Sequence, residues 1–548
     1  MQQATTTRSK GCHQRDSEGK HLRGRALRCG FAVVMALGVM PLADAVTPAA
    51  AAGENCGPGS ANVADFRAGR TDVEAFNAAV AALPSGGILT VPAGRYVLNT
   101  YVMLNIDRLC VVGRPGAVLV SEAPPDVGPT DYINHSVFLV NKMRSADERD
   151  PVHNVSVRSL DIRVVRGVSG DKAMGIIQYN NCLGCSVENV TLVWDNPSET
   201  ADQKEDDKST DGIAFSSGAT GTIRNVRVDG MPKGGIYLAA WSHHVLVENV
   251  TVTNSGARIG TQIVNGVEVP RYWGAGIKLT GSTNITVKNC RSDFNKRWGL
   301  YVAVNNFKGW QEARSSEISN CSFESNGDPN HAEAGGIQIG SAASTTSDNI
   351  VPEDIFLDHV NASRNDGTGL YIQAGRRIHV TAATTSENRD DGIQVCNVSD
   401  PRLAGYTADV EIAQSRSENN GQLDGAGLGS YSAALRLRAV DSVSVRDTVL
   451  LETEPDRIGN RLTLQPGRDG NHNGKVLLTG LDVADRMLTM PGGEADFGQY
   501  QLDGLGDPNT YRGVGLPAPP SSTYVDDRTP SIVYIKYTSA YSTTWQSS

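Results

Sequence analysis

Residues 234–239 read Gly234-Gly235-Ile236-Tyr237-Leu238-Ala239, and the pairing of a glycine with a following branched apolar residue recurs along the chain. It returns as Gly175-Ile176, Gly212-Ile213, Gly276-Ile277, Gly299-Leu300, Gly336-Ile337, Gly369-Leu370 and Gly392-Ile393. The steps between these glycines are 37, 23, 41, 23, 37, 33 and 23 residues. A base period of 23, lengthened by insertions of roughly 10 to 18 residues, predicts a solenoid assembled one strand-bearing coil at a time. Within the strand the alternation sends Ile236 and Leu238 inward and Tyr237 and Ala239 outward. Two residues after each glycine, the expected outward row is Ile177, Ala214, Tyr237, Lys278, Tyr301, Gln338, Tyr371 and Gln394.

A second strand is expected about 13 residues beyond the glycine, ending in asparagine: Asn189, Asn225, Asn249, Asn289 and Asn320. Asparagine tolerates left-handed backbone geometry, so these residues predict a ladder inside the turn between the second and third strands. The longer coils carry their extra length mostly between that asparagine and the next glycine. Loops at 195–210 and 254–273 are therefore expected to wall the Gly-Ile strand into a groove, with a third excursion at 303–315 on its other edge.

Composition agrees with many short strands: 58 glycines, 20% charged residues and 6% aromatic residues. Residues 1–52 resemble an export signal. Lys20, Arg23, Arg25 and Arg28 precede the apolar run Phe31–Leu42, which is too short to span a bilayer, and small residues follow. Removing this leader, which carries a net +4, takes the formal charge from −10 to −14. So acidic a chain argues against nucleic-acid or anionic-membrane partners. Secretion, to the cell exterior or a periplasm, permits disulfides among Cys56, Cys110, Cys182, Cys185, Cys290, Cys321 and Cys396. Cys182-Leu-Gly-Cys185 lacks the second pair that zinc would need and reads as a local bridge or as buried thiols. Cys290 and Cys321 fall at matching places in adjacent coils and are expected to stack inside.

An end plug is expected at 62–100. Thr71-Asp72-Val73-Glu74 forms a capping box, Val73, Phe76, Val80 and Leu83 a helical stripe, and Pro84-Ser85-Gly86-Gly87 a stop. Such a helix would shield the first coil from edge-to-edge pairing. Asn62-Val-Ala-Asp65-Phe66, this helix, Ser85-Gly-Gly-Ile-Leu-Thr-Val91-Pro92-Ala-Gly94-Arg-Tyr96 and the asparagine ladder resemble the pectate-lyase superfamily over about residues 62–480. The resemblance implies an all-β fold, a single-stranded right-handed parallel β-helix with an N-terminal capping helix. Its members include rhamnogalacturonases, mannuronan epimerases and phage tailspikes, so the fold leaves the activity open. The expected organisation is a leader at 1–52, a cap and first coils at 53–120, the β-helix at 121–480, a non-repeating segment at 481–515 and a tail at 516–548. The tail is similar to a terminal module of some phage and bacterial β-helix proteins. It suits trimerisation or attachment as well as a loose end, so monomer and trimer both stay open.

The aromatic and amide members of the outward row (Tyr237, Tyr301, Gln338, Tyr371, Gln394), with Trp241, Trp273 and Trp298 at its edges, are candidates for binding sugar rings. Glu333, Asp366, Asp390 and Asp391 precede glycines on three successive coils. Acids on neighbouring coils would lie roughly 5 Å apart, and on alternate coils near 10 Å, which brackets the separations used in glycoside hydrolysis. The same residue types also serve as ordinary turn residues before glycine. The rival chemistry is β-elimination from a uronate, which needs a base and a neutralising cation. The superfamily often uses Lys, Arg or Tyr as the base, which points to Lys278 and Arg297 beside Tyr301. The acidic loop Asp195, Glu199, Asp202, Glu205, Asp206 and Asp207 offers oxygen ligands for calcium but lacks a recognisable calcium-loop spacing.

Subfamily motifs exclude more than they assign. Ser209-Thr210-Asp211-Gly212 resembles the Asn-Thr-Asp-Gly of polygalacturonases, yet the next coil, Lys233-Gly234-Gly235, lacks their Asp pair. The Asp-Pro-His of mannuronan epimerases and the Arg-centred motifs of the best-known pectate lyases are absent. The sequence reading is a secreted polysaccharide-cleaving enzyme, with hydrolysis through the four acids placed ahead of lyase or C5-epimerase chemistry. A non-catalytic glycan-binding surface protein is the alternative from another class.

Overall fold

The computed structural model describes residues 56–122, 136–141, 150–166, 175–195, 211–256, 258–264, 267–272, 274–305, 311–328, 334–340, 350–396, 407–421 and 432–451, followed by short strands up to residue 547. The leader, and with it the export expectation, lies outside them. Thirteen parallel strands, from Val102–Met103 to Met487–Thr489, stack into one front sheet that carries the Gly-Ile strands. Most other strands belong to a second, 24-stranded sheet, again parallel from coil to coil over most of its length, while Cys182–Leu183 pairs with Val152–His153 and Arg258–Val264 with Val267–Tyr272 in two-stranded sheets of their own. Ile213, Ile236, Ile277, Leu300, Ile337, Leu370, Ile393, Leu435 and Leu462 occupy one register position of the front sheet and are all buried. The apolar core is thus a continuous column down the inside of the coil, as expected where each repeat buries its surface against its neighbours.

The steric need for the repeated glycine is visible in its surroundings. A Cβ on Gly212 would sit 2.7 Å from Val228 Cγ1, on Gly299 2.7 Å from Asn326 Nδ2, and on Gly369 2.6 Å from Asn388 Nδ2. At Gly235 it would overlap Val252 Cγ1. The glycine therefore faces the interior, and so does the Ile after it. Alternation breaks there, and the residue just before the glycine and the one two positions after it both face out. Gly235→Ala is expected to lower unfolding stability by about 2 kcal/mol through overpacking, measured by denaturant titration against the wild-type chain.

The first repeat is out of step. Gly175 pairs with Asp211 rather than Gly212, and Ile177 pairs with Ile213 in the core. Ile177 is therefore not in the outward row, and Gln178, which pairs with Ala214, takes its place. The insertion before Gly212 conceals this shift of one residue.

The asparagines behave as conformational corners. Asn189, Asn225, Asn249, Asn289 and Asn320 all have φ between 52° and 54°, a region that asparagine enters at lower cost than most side chains. Asn225 donates to Asn189 at 3.1 Å and Asn249 to Asn225 at 3.2 Å. This ladder is on the outside of the turn and exposed, contrary to the expectation that it lies within. A different ladder fills the inside: Asn295, Asn326, Asn365, Asn388 and Asn420, all buried, where Asn295 accepts the Ser255 N–H and each later member takes the backbone and side-chain N–H groups of the asparagine in the preceding coil. Its members lie beneath the glycine row, where a Cβ would strike them.

Helix Asp72–Ala81 forms with the expected capping box between Thr71 and Glu74. It buries Val73, Phe76 and Val80, and the Phe76 ring meets Tyr96 at 5.7 Å and Phe138 at 6.2 Å. Cys182 and Cys185 form the local bridge, and Cys56 is bonded to Cys110. Cys290 and Cys321 are buried free thiols on adjacent coils, with the Cys290 N–H 3.3 Å from Cys321 Sγ. Parallel pairing continues beyond residue 480. Lys475–Thr479, Tyr500–Gly504 and Thr523–Asp526 are neighbours, and antiparallel strands Val533–Ile535 and Gln546–Ser547 close that end.

Candidate active site

The outward row of the front sheet, corrected for the shifted first coil, runs Gln178, Ala214, Tyr237, Lys278, Tyr301, Gln338, Tyr371, Gln394, Arg436 and Thr463. A second outward line, three residues earlier on each strand, includes Asp211, Gly234, Ala275, Trp298, Gly335 and Thr368. The break in alternation at the glycine puts both lines on the same face.

Their charged centre is Lys278. Its ammonium lies 2.5 Å from Asp211 Oδ1, although the two residues are two coils apart. The bridge passes the coil between them because that coil carries Gly234. A Cβ there would come within 2.7 Å of Asp211 Oδ1 and 2.9 Å of Lys278 Cε. Lys278 Nζ also stands 4.4 Å from the centre of the Tyr237 ring, and Lys233 Nζ 5.5 Å from it on the coil of Tyr237 itself. Lys233 is 3.9 Å from Asp211 Oδ2. Asp211 is wholly buried and Lys278 only 8% exposed. Burial pulls the lysine down to about 8, the Asp211 carboxylate works against that fall, and the Lys233 charge adds to it. The Tyr237 hydroxyl is pushed above its usual value, chiefly by burial. An amine that titrates near neutrality, gripped by a carboxylate and faced by a protonated phenol, has the properties of a general base with an acid beside it.

Towards the C-terminus the face becomes aromatic and amide-lined. Trp298 and Tyr371 stack at 6.0 Å with 21° between ring planes, packed with Ala275, Cys396 and Tyr301. Trp298 is only 2% exposed, so its faces are turned to its neighbours instead of forming an open platform. Trp241 is the exposed one, at 44%, in the turn after the Tyr237 strand. Buried polar atoms on this face go without a hydrogen-bond partner on four successive coils: Trp298 Nε1, Gln338 Oε1, Thr368 Oγ1, and both Oε1 and Nε2 of Gln394.

The expected acid group does not act as one unit: Asp390 bears on Asp391, and Asp366 stands electrically apart from both. Glu333 lies outside the described residues, as do Trp273 and the loop acids from Glu199 to Asp207. Asp366 is shifted upward by burial, and the charges acting on it come from Arg389, Asp328 and Lys296. Asp391 is pushed up to about 7 by burial and then by Asp390, against Arg436. Its Oδ1 accepts the Ala433 N–H at 2.8 Å, its Oδ2 faces Arg436 Nη1 at 3.3 Å, and Ser432 Oγ donates to Asp390 at 3.0 Å. Asp366 and Asp391 therefore answer to different charges and are not one coupled pair. Arg297 is half-buried just before Trp298, and Lys278 stands in register with Tyr301 while its ammonium is bridged to Asp211. Among the described residues, no three His, Cys, Asp or Glu side chains gather into a metal-binding group.

Asp211, Lys233, Gln178, Thr368 and Arg436 are among the members of this face that sequence reasoning left out of the candidate site. Asp211 precedes a glycine and looks like a turn residue. Only the pairing of its coil with the next two shows where its carboxylate goes.

Comparison with known proteins fits this architecture. Residues 168–351 match the family model for a right handed beta helix region. Among solved structures, the chain is similar to the A-module of the Azotobacter vinelandii mannuronan C-5 epimerase AlgE6, at 14% identity over 80% of this chain and 97% of that one, with a TM-score of 0.50. A Family 28 exopolygalacturonase of Yersinia enterocolitica is 12% identical over 80% and 79%, with a TM-score of 0.42. The Streptococcus pneumoniae surface protein and adhesin PfbA is 12% identical over 81% and 97%, with a TM-score of 0.34. No curated protein sequence matches the chain. The family-model match and the likeness to the epimerase module concern the fold: the protein is a right-handed parallel β-helix.

Proposed function

We propose that this protein is an exported, polysaccharide-acting β-helix enzyme that binds an acidic glycan along its front sheet and cleaves it by β-elimination at Lys278. The observation that carries the chemistry is the buried Lys278 amine, brought to about 8 and held 2.5 Å from Asp211 with the Tyr237 ring 4.4 Å away. Binding draws support from the line of unpartnered polar atoms on the same face, since burying such groups unsatisfied is costly and a hydroxyl-rich ligand satisfies them. Export draws support from the Cys56–Cys110 bridge, which suits an oxidising compartment.

In this mechanism the neutral Lys278 amine removes the proton α to the uronate carboxylate. The electron pair left behind forms the new C=C bond as the C–O bond to the leaving sugar breaks, and Tyr237 gives its proton to the departing oxygen. Lys233, partly exposed, neutralises the uronate carboxylate, so no step requires a metal ion. Hydrolysis through Asp366, Asp390 and Asp391 is less well supported, because the charge that couples to Asp391 is its chain neighbour Asp390, while Asp366 on the preceding coil answers to other charges.

Incubation with a panel of polyuronates and neutral glycans tests this reading. The expected result is chain cleavage accompanied by the ultraviolet absorbance of an unsaturated uronate. New reducing ends without that absorbance would transfer the activity to hydrolysis. Inversion at C5 without cleavage would make it an epimerase sharing the first step. Binding with no product would leave a glycan-binding surface protein.

A further inference from the structure

On the front face, Gln394 carries an amide stranded at both ends. It is 0% exposed, and both Oε1 and Nε2 go without a hydrogen-bond partner. Its neighbours in the strand, Ile393 and Val395, are buried in the core column, and its register partners are Tyr371 on one side and Arg436 on the other. Two residues before Ile393 lies Asp391, whose carboxylate faces that same Arg436 at 3.3 Å. An amide stranded at both ends offers one donor and one acceptor side by side, and the carboxylate and guanidinium flank it. That set matches the adjacent hydroxyls of a sugar ring, each of which both donates and accepts. Leaving an amide unsatisfied at both ends is expensive, whereas an apolar side chain of similar size would fill the same space at no such cost.

We infer that Gln394, with Asp391 and Arg436, forms a distal sugar subsite that holds the same glycan chain four coils away from Lys278. The inference rests on the proposed glycan-binding role of this face. Four strand spacings span about 19 Å, several sugar residues along an extended chain. The consequence is a preference for long chains, set by a residue far from the reacting bond.

The test measures the affinities of oligogalacturonate and oligomannuronate trimers and octamers by calorimetry, on the wild-type protein and on Gln394→Leu, with melting temperature followed in parallel. For the wild type, affinity should rise at least about tenfold from trimer to octamer, the equivalent of one or two hydrogen bonds. In Gln394→Leu that gain should collapse to less than about threefold, while the melting temperature holds or rises because the stranded amide is gone. An unchanged gain in a folded Gln394→Leu protein overturns the inference and marks the amide as one served by buried water. The titrations are run at about pH 5, where Lys278 is held as the ammonium and cannot act as the base, so binding is read without turnover. A protein that binds there but does not cleave at higher pH refutes the elimination mechanism and leaves the subsite standing. Absence of binding by every oligomer overturns both.

Discussion

Lys278→Met is expected to lower kcat on the cleaved glycan by about 10³-fold, the scale of a lost general base. Lys278→Arg should fail almost as completely. A guanidinium preserves the positive charge but does not release its proton in the accessible pH range, so only a mechanism that needs the neutral amine loses activity in both variants. The sign of the pH dependence follows from the direction of the shift. Burial holds Lys278 near 8, so the active, deprotonated fraction grows as pH rises, and kcat/KM should climb through about pH 8. Asp211 raises the lysine towards its ordinary value. Asp211→Asn removes that support and should move the rising limb to lower pH. A purely structural role for the pair would reduce activity without moving the limb. A limb that stays in place in Asp211→Asn, or Lys278→Arg with substantial activity, would remove Lys278 from the mechanism. The melting temperature of Lys278→Met belongs in the same experiment, because the substitution leaves the Asp211 carboxylate buried without its nearest cation, itself a destabilising change.

The fold was legible because it is written in a repeated local rule. A period of 23 and the alternation in Ile236-Tyr237-Leu238 determine strand, face and stacking without any long-range information. Whatever depended on how neighbouring coils align was harder to read. Gly175 fits the Gly-Ile pattern yet sits one register position away from Gly212, so Ile177 enters the core and Gln178 the outward face. The Asp211–Lys278 bridge spans 67 residues of sequence and crosses a coil whose permissive feature is the missing side chain of Gly234. Neither residue carries a signal of the other. The acids before the glycines were conspicuous as a sequence pattern, but at Asp366 and Asp391 the neighbouring charges differ. Spacing along the chain locates a coil and leaves open where a side chain at its rim will turn.

The two asparagine ladders show the same contrast and lead to the largest expected loss of stability. The ladder marked by Val-Glu-Asn and its variants is exposed and chiefly shapes the backbone, whereas the buried one, with Asn four residues before Gly at Asn295, Asn365 and Asn388, holds the interior together. Asn326 illustrates its density of bonding. Its Oδ1 accepts both the backbone and the side-chain N–H of Asn295 at 2.9 Å, and its Nδ2 donates to Ser292 O at 3.0 Å and to Asn365 Oδ1 at 3.3 Å. Asn326→Leu strands those groups where water cannot reach them and places a branched side chain beneath Gly299, whose own position already lacks room for a Cβ. The expected cost is about 4 kcal/mol, from several unsatisfied buried groups at once. Asn225→Ala, on the exposed ladder, should cost only about 1–2 kcal/mol for its left-handed backbone. Hydrogen exchange gives the spatial check. Coils around residues 292–369 should lose protection in Asn326→Leu while the capping helix Asp72–Ala81 keeps its own, because coupling in a solenoid passes mainly between adjacent repeats. Equal stability losses in the two variants would show that the buried ladder is no more important to the solenoid than its solvent-facing counterpart.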